Sequence, residues 1–348
     1  MGDKIKVLIV DDATFMVKAI REILESDPDI EVVGTAKNGL ECLKMIKELR
    51  PDVITLDVDM PVMDGIKAVR HIMIESPVPV VMLSSLSEHG DITFEAIRLG
   101  VVDFLPKPSG AISHDIHDVQ QQIIDRVKIA TSVNMKNIRR VKLNAKDHSE
   151  EFNERYGYQA LEYIVTIGTT LGGPNTVINM MSGLSSALPA TMVVIQEISP
   201  KIVPEFAKQF ADQTSWRVEA AEAGKLLEQG VCYICSNDEP MMVERNAKNE
   251  ICMIAQSGDE QPLNTLFTSA SNVFGNNTIG VLLTGVGDDG ADGFSTIRDN
   301  AGVTIAQSTD TCVYPNLTQC AIDKGNVDFV VDGNFLAGKI ESVVHAEQ

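Results

Sequence analysis

The apolar run Lys6–Val10 (KVLIV) stops on two aspartates, and a segment with helical spacing, Phe15–Glu25, follows. The same grammar recurs. Glu31–Ala36, Val53–Leu56, Val78–Leu83 and Val101–Leu105 read as strands. Gly39–Leu49, Ile66–Glu75 and Gly90–Leu99 lie between them with helical periodicity, and Ile116–Val133 reads as a last helix. Alternation of this kind leaves few architectures open. It predicts a doubly wound α/β domain with a parallel sheet, in which ligands sit at the carboxyl ends of the strands.

At roughly 100–200 residues per domain, 348 residues call for two domains. The stretch Asn134–Gly157 is polar, charged and poorly periodic, and a second alternating series starts at Tyr163. The expected division is 1–127, a linker over 128–160, and a second α/β domain over 161–345. Strands are predicted at Tyr163–Ile167, Thr191–Gln196, Val231–Cys235, Met241–Glu244, Ile251–Ile254, Ile279–Leu283, Val303–Ala306 and Val327–Val331. Helices are predicted at Asn175–Leu184, Ile202–Gln213, Asn264–Val273 and Gly290–Asn300.

In the first series the strand ends carry chemistry. Asp11 and Asp12 follow the first strand, Asp57 the third, Ser84 the fourth and Lys107 the fifth. A parallel sheet puts all five on one edge. Close carboxylates repel and favour a hard divalent cation, for which Mg²⁺ and oxygen ligands are suited. An aspartate beside a cation and a lysine can attack a phosphoryl donor, since positive charge offsets what develops on the phosphoryl oxygens. Taken singly, such aspartates are ordinary loop and helix caps.

This stretch, Lys4 to about Val127, closely resembles the receiver domain of two-component response regulators, a flavodoxin-like fold. The resemblance implies Asp57 as phosphoacceptor and Mg²⁺ held by Asp11, Asp12 and Asp57 with the backbone carbonyl of Asp59. It makes Ser84 and Phe104 the switch residues, Lys107 the phosphate-binding lysine and Pro108 the partner of a cis peptide bond. It also implies a histidine kinase as phosphoryl donor.

The second series opens on YIVTIGTTLGGPNTV, residues 163–177. Gly168-Thr169-Thr170-Leu171-Gly172 has the spacing of a G-x-S-x-G nucleophile elbow, with Thr170 in the nucleophile slot. Read plainly, it is a tight strand-to-helix turn that needs glycine backbone; as a phosphate cradle it fits neither familiar glycine pattern. IGTTLGGP (167–174), VVIQEI (193–198), GVCYIC (230–235), LLTGVGDDGADG (282–293) and GVTIAQ (302–307) together resemble the chemotaxis receptor methylesterase (CheB) family. That resemblance implies a three-layer α/β/α output domain. In the family this domain hydrolyses glutamyl methyl esters on chemoreceptors, deamidates glutamines there, and is blocked by the receiver until phosphorylation.

The departures fall on the catalytic positions. Where the family has serine, histidine and aspartate, this chain has Thr170, Glu197 and Asp289. Thr169, Leu171 and Val286 also depart, as do residues 257–267 and the Pro315–Thr318 turn. Threonine can be a nucleophile beside a base. A glutamate, at about 4.3, is a far weaker base than imidazole at about 6.5. Asp289 opposite Glu197 would set carboxylate against carboxylate, and no histidine occurs between His148 and His345. The expectation is a phosphorylation-controlled binding module whose output domain has lost catalysis. The rival expectations are an esterase or deamidase using Thr170, and a cation held by Glu197, Asp288 and Asp289.

A formal net charge of −20 disfavours nucleic acid and anionic membranes. The small basic group Lys136, Arg139, Arg140, Lys142 and Lys146 reads as solvated linker. No apolar run is long enough to span a bilayer and the start, MGDKIKVLIV, lacks a signal pattern. Without an export signal the expected location is the cytoplasm. Cys232 and Cys235 form a C-x-x-C on a predicted strand, where residues three apart point to opposite faces and cannot share a metal.

Overall fold

The structure is a computed structural model that describes residues 4–84, 90–108, 116–138, 161–256 and 261–346. The chain divides into two compact units, residues 1–140 and 141–348. Among the described residues no helix is long and apolar enough to cross a membrane. The predicted linker beyond Ile138, with Arg139, Arg140, Lys142 and Lys146, lies outside the described residues.

In unit 1 the strands are β1 (Ile5–Val10), β2 (Ile30–Ala36), β3 (Val53–Asp57), β4 (Val80–Ser84) and β5 (Asp103–Pro106). The helices are α1 (Thr14–Glu25), α2 (Gly39–Leu49), α3 (Gly65–Glu75), α4 (Gly90–Leu99) and α5 (Ile116–Thr131). All pairings are parallel, in the order β2-β1-β3-β4-β5. That is the flavodoxin-like order, with its switch point between β1 and β3. Leu8, Val10, Ile54, Leu56, Val80 and Met82 of the sheet pack with Ile46 of α2, Val69 and Ile72 of α3 and Leu99 of α4. Two side chains start helices locally. Asn38 accepts from the Glu41 N–H at 3.0 Å to open α2, and Asp64 accepts from the Lys67 N–H at 2.8 Å to open α3.

Unit 2 holds a seven-stranded, wholly parallel sheet. Its strands are β6 (Tyr163–Gly168), β7 (Ala190–Gln196), β8 (Arg217–Ala220), β9 (Val231–Ser236), β12 (Thr278–Leu282), β13 (Val303–Gln307) and β14 (Phe329–Val331). The order is β14-β13-β12-β6-β7-β9-β8, with an antiparallel hairpin β10 (Met241–Arg245) and β11 (Ile251–Ala255) beside it. The helices are α6 (Gly173–Ser182), α7 (Val203–Ala211), α8 (Pro262–Phe274), α9 (Ala291–Asp299), α10 (Asn316–Asp323) and α11 (Leu336–Ala346). One sheet face packs against α8, α9, α10 and the hairpin through Ile164, Val193, Ile195, Phe267, Phe294 and Leu317. The other face meets α6, on which α11 packs. This is the three-layer arrangement the resemblance implies.

The two cysteines follow strand parity. Cys235 joins the core on the α8 side, while the Cys232 thiol lies 3.6 Å from the Met181 sulfur of α6. Burial lifts the Cys235 thiol to about 12 and raises Cys232 as well.

Three elements escape the sequence reading. β8 is a four-residue edge strand in which Val218 alone is buried. The first residues of α10 look like a turn because Pro315 precedes them. α11 carries a signal in Leu336, Ile340 and Val344, all fully buried at four-residue spacing.

Candidate functional site

The carboxyl edge of the unit 1 sheet brings Asp11, Asp12 and Asp57 together, with one ligand atom of each within 4.8 Å of the others. Asp11 and Asp57 are buried and Asp12 is exposed. The Lys107 ammonium bridges the buried pair, 2.8 Å from Asp57 Oδ1 and 3.0 Å from Asp11 Oδ2. The Val58 N–H donates to Asp57 Oδ1 at 2.7 Å, and the Ala13 N–H donates to Asp11 Oδ1 at 2.9 Å. Burial and the neighbouring Asp11 charge push the Asp57 carboxyl above its ordinary range, against the pull of Lys107. Burial alone would lower Lys107, but its contacts with Asp57 and Asp11 outweigh that and raise it.

The local backbone serves this cluster. Gly65 opens α3 so close to Asp57 that a Cβ there would stand 2.2 Å from the Asp57 carbonyl oxygen. No other residue fits without moving the phosphoacceptor candidate. Ser84 ends β4 and is buried, and its carbonyl accepts from the Lys107 N–H at 2.8 Å. Phe104 is half-buried on β5 against the α3–α4 side of the core. Asp59 lies two residues past Asp57 in the β3–α3 loop. The Lys107–Pro108 peptide bond is trans, not cis as the resemblance implies. An X–Pro bond prefers trans by about 0.5–1 kcal/mol unless its surroundings reverse the preference.

In unit 2 the switch point falls at β6, where the chain turns to β7 on one side and β12 on the other. Thr170 follows β6, Glu197 follows β7 and Asp289 lies beyond β12, so all three sit at one sheet edge. Thr170 Oγ1 accepts from the Val286 N–H at 2.6 Å and donates to the Val286 carbonyl at 3.2 Å. Among the described residues, both hydrogen bonds of that hydroxyl run to Val286.

Asp289 is a helix cap. Its Oδ2 accepts from the Leu263 N–H at 2.7 Å and its Oδ1 from the Asn264 N–H at 2.9 Å, at the first turn of α8. A carboxylate on two otherwise orphaned donors is favoured by hydrogen bonding and by the helix dipole. Asp289 thus has a structural role at α8. Glu197, Asp288 and Asp289 do not make a cation site: among the described residues, only Asp11, Asp12 and Asp57 converge as potential metal ligands. Residues 257–260 of the altered loop lie outside the described residues.

Replacing Asp289 by alanine should lower the unfolding free energy of unit 2 by about 1–3 kcal/mol. Asp289→Asn should cost less, because one acceptor remains. Trp216, the chain's one tryptophan, is buried in unit 2 and reports the transition in denaturant. Equal stability of Asp289→Ala and the parent chain would remove the capping role.

Sequence reasoning missed the hub that holds the elbow. The Thr284 carbonyl accepts from Thr169 Oγ1 at 2.6 Å and from the Thr170 N–H at 3.4 Å. Its N–H donates to Gln307 Oε1 at 3.0 Å, and its hydroxyl accepts from the Tyr314 N–H at 2.8 Å. Asn316 Oδ1 accepts from the Gly287 N–H at 2.6 Å. The available signal was polar residues ending apolar strands, LLT and TIAQ, at fully or nearly fully buried positions.

Comparison with known proteins agrees with both units. A family described as response regulator receiver domain matches residues 7–116, and one described as CheB methylesterase matches residues 165–340. A protein of Caldanaerobacter subterraneus named protein-glutamate methylesterase/protein-glutamine glutaminase is 38% identical over 344 residues, 95% of this chain and 94% of that one. One of the same name from Pyrococcus horikoshii is 36% identical over 338 residues, 95% and 91% of the two chains. The solved methylesterase catalytic domain of Thermotoga maritima CheB is 25% identical, covers 53% of this chain and 98% of that chain, and has a TM-score of 0.49.

Proposed function

The chain belongs to the CheB methylesterase family, and from that premise we propose that it is a phosphorylation-controlled binding module of chemotaxis: unit 1 takes a phosphoryl group on Asp57 from a histidine kinase, and unit 2 engages chemoreceptors without hydrolysing them. The observation that carries the second half is the Thr170 hydroxyl, clasped on both sides by the Val286 backbone. Its proton rests on a peptide carbonyl, which cannot act as a general base near neutral pH. The Val286 N–H is in turn occupied by that hydroxyl, which removes it as a donor to a developing oxyanion. Asp289 is committed to α8.

For unit 1 the chain supplies the parts of phosphoryl transfer. The Val58 and Lys107 hydrogen bonds fall on Asp57 Oδ1, so Oδ2 is the oxygen that attacks phosphorus. The P–N bond of the donor phosphohistidine breaks, its electron pair stays with the imidazole nitrogen, and a P–O bond to Asp57 forms. Lys107 neutralises the phosphoryl oxygens, and Ser84 donates its hydroxyl to the acyl phosphate. Phe104 moves with Ser84 to carry the change to the surface. The all-oxygen donor set of Asp11, Asp12 and Asp57, with the Asp59 carbonyl, suits Mg²⁺, and those residues would hold it. When bound, the cation supplies charge neutralisation for the carboxylates and the transferred group.

A second reading, a methylesterase or glutaminase using Thr170, is favoured by the names of the relatives above. The binding reading is tested by titrating a chemoreceptor cytoplasmic fragment with the full chain, with and without Mg²⁺ and beryllofluoride as the phosphoryl mimic. Coupling of ordinary size changes the affinity about 5- to 150-fold. Equal affinities in the two states would contradict the proposal.

A further inference from the structure

The seven-stranded sheet of unit 2 has two edges, and the sequence treats them differently. β8, at one edge, reads Arg217-Val218-Glu219-Ala220. Its charged side chains are held in ion pairs, Arg217 with Glu219 at 2.9 Å and with Glu228 at 2.7 Å, and Glu219 also with Lys225. Charges on an edge strand keep it from pairing with another chain. β14, at the other edge, reads Phe329-Val330-Val331 and has no charge of its own. Among the described residues it pairs only with β13.

β14 is also apolar where it meets water. Phe329 is 39% and Val330 53% exposed, and Phe335, just before α11, is 68% exposed. Successive strand residues point to opposite faces of a sheet, so both faces of this edge are apolar. On the Phe329 face, the Lys339 ammonium of α11 lies 3.2 Å from the ring centre, and Lys339 stands one helical turn after Phe335. A strand laid along the edge would extend both faces at once. It would also take up the main-chain donors and acceptors that an edge strand turns outward.

The charge around the edge says which strand fits. At the amino end of β14 lies a polar hollow of about 440 Å³ lined by Ser295, Arg298, Asp299, Gly302, Asn326 and Asp328. Its cation is committed: Arg298 pairs with Asp328 Oδ1 at 3.0 Å and donates to the Gly325 carbonyl at 2.6 Å. Asp299 is exposed and, among the described residues, has no ion-pair partner. Asp332 follows the other end of the strand. A second copy of β14 paired antiparallel about Val330 would set Asp328 opposite Asp332, like charge against like charge. A strand with a basic end meets no such conflict.

We propose that the β14 edge docks an extended peptide segment of a partner protein. The segment adds as an eighth strand, with apolar side chains beside Phe329 and Val330 and a lysine or arginine in the hollow at Asp299. Main-chain pairing and apolar contact hold it, and the basic end fixes its direction along the edge.

The test selects a random-peptide phage library on the immobilised full chain. The recovered peptides are then titrated by fluorescence anisotropy against the parent, Val330→Lys and Asp299→Asn chains. Both substitutions fall on exposed side chains, and circular dichroism checks that the variants fold. The recovered peptides should share a β-branched or aromatic run ended by lysine or arginine. Their Kd should rise about tenfold or more on Val330→Lys, where a lysine blocks the edge. It should rise about two- to fivefold on Asp299→Asn, a difference that high salt removes. Recovery of no binding peptide, of peptides with acidic ends, or of peptides that bind Val330→Lys as tightly as the parent would overturn the proposal. So would a parent chain that sediments as a dimer while Val330→Lys sediments as a monomer, which would give the edge to a second copy.

Discussion

Asp57→Asn should take up no phosphoryl group from any donor, while the parent chain gains one labile phosphoryl per molecule. Asparagine keeps the shape of the side chain but not the anionic oxygen that attacks phosphorus, and it offers one weak ligand atom in place of a carboxylate. The lost interaction with Lys107 at 2.8 Å removes one of the two carboxylate charges that hold the lysine at the site. The effect is all or none because the two other carboxylates of the cluster are placed differently. Asp12 is in the cluster but exposed, and Asp11 is held by the Ala13 N–H and by Lys107. Intact mass before and after donor treatment reads the result directly. Full labelling retained in Asp57→Asn would move the phosphoacceptor elsewhere.

The second large effect is a gain. The double change Thr170→Ser with Glu197→His should raise methanol release from methylated chemoreceptor on the order of 10²–10⁴-fold over the parent chain, the usual contribution of a positioned general base. Neither single change should do so. Serine without a base leaves the proton on Val286, and histidine beside the present threonine faces a hydroxyl whose β-methyl restricts χ1 and whose two hydrogen bonds are already made. Because triad members act as a unit, the two positions should be strongly non-additive. Asp289 is expected to limit the recovery, since orienting an imidazole would compete with its hold on Leu263 and Asn264. A double variant with no gain would contradict the assignment of the loss to these two positions.

Most of the fold was legible, for a physical reason. In a parallel sheet the strands are buried apolar runs, and the polar residues that end them mark the ligand edge. Asp11, Asp57, Ser84 and Lys107 could be placed together from strand ends alone, and the structure puts Lys107 against both buried aspartates. Other elements were not legible for different reasons: β8 buries one side chain, and α10, although Leu317, Thr318 and Ala321 are buried, hides behind a proline.

In the second site, residue identity was readable but the hydrogen bonding was not. The Thr170–Val286 clasp joins residues 116 apart, and the Asp289 cap on Leu263 spans 26. Neither leaves a local pattern. The motif of Asp289 suggests a triad position and gives no sign that its carboxylate also caps α8. Thr284 carries no mark of its own in the sequence, although it ties the elbow to Tyr314 and Gln307.

The role of unit 2 turns on whether the elbow hydroxyl still delivers a nucleophile. The decisive measurement is methanol release from methylated chemoreceptor by the chain carrying phosphate on Asp57, alongside its Thr170→Ala variant under identical conditions. The two rates should coincide with each other and with that of the receptor alone. Release well above that background in the parent chain, lost in Thr170→Ala, would contradict that expectation.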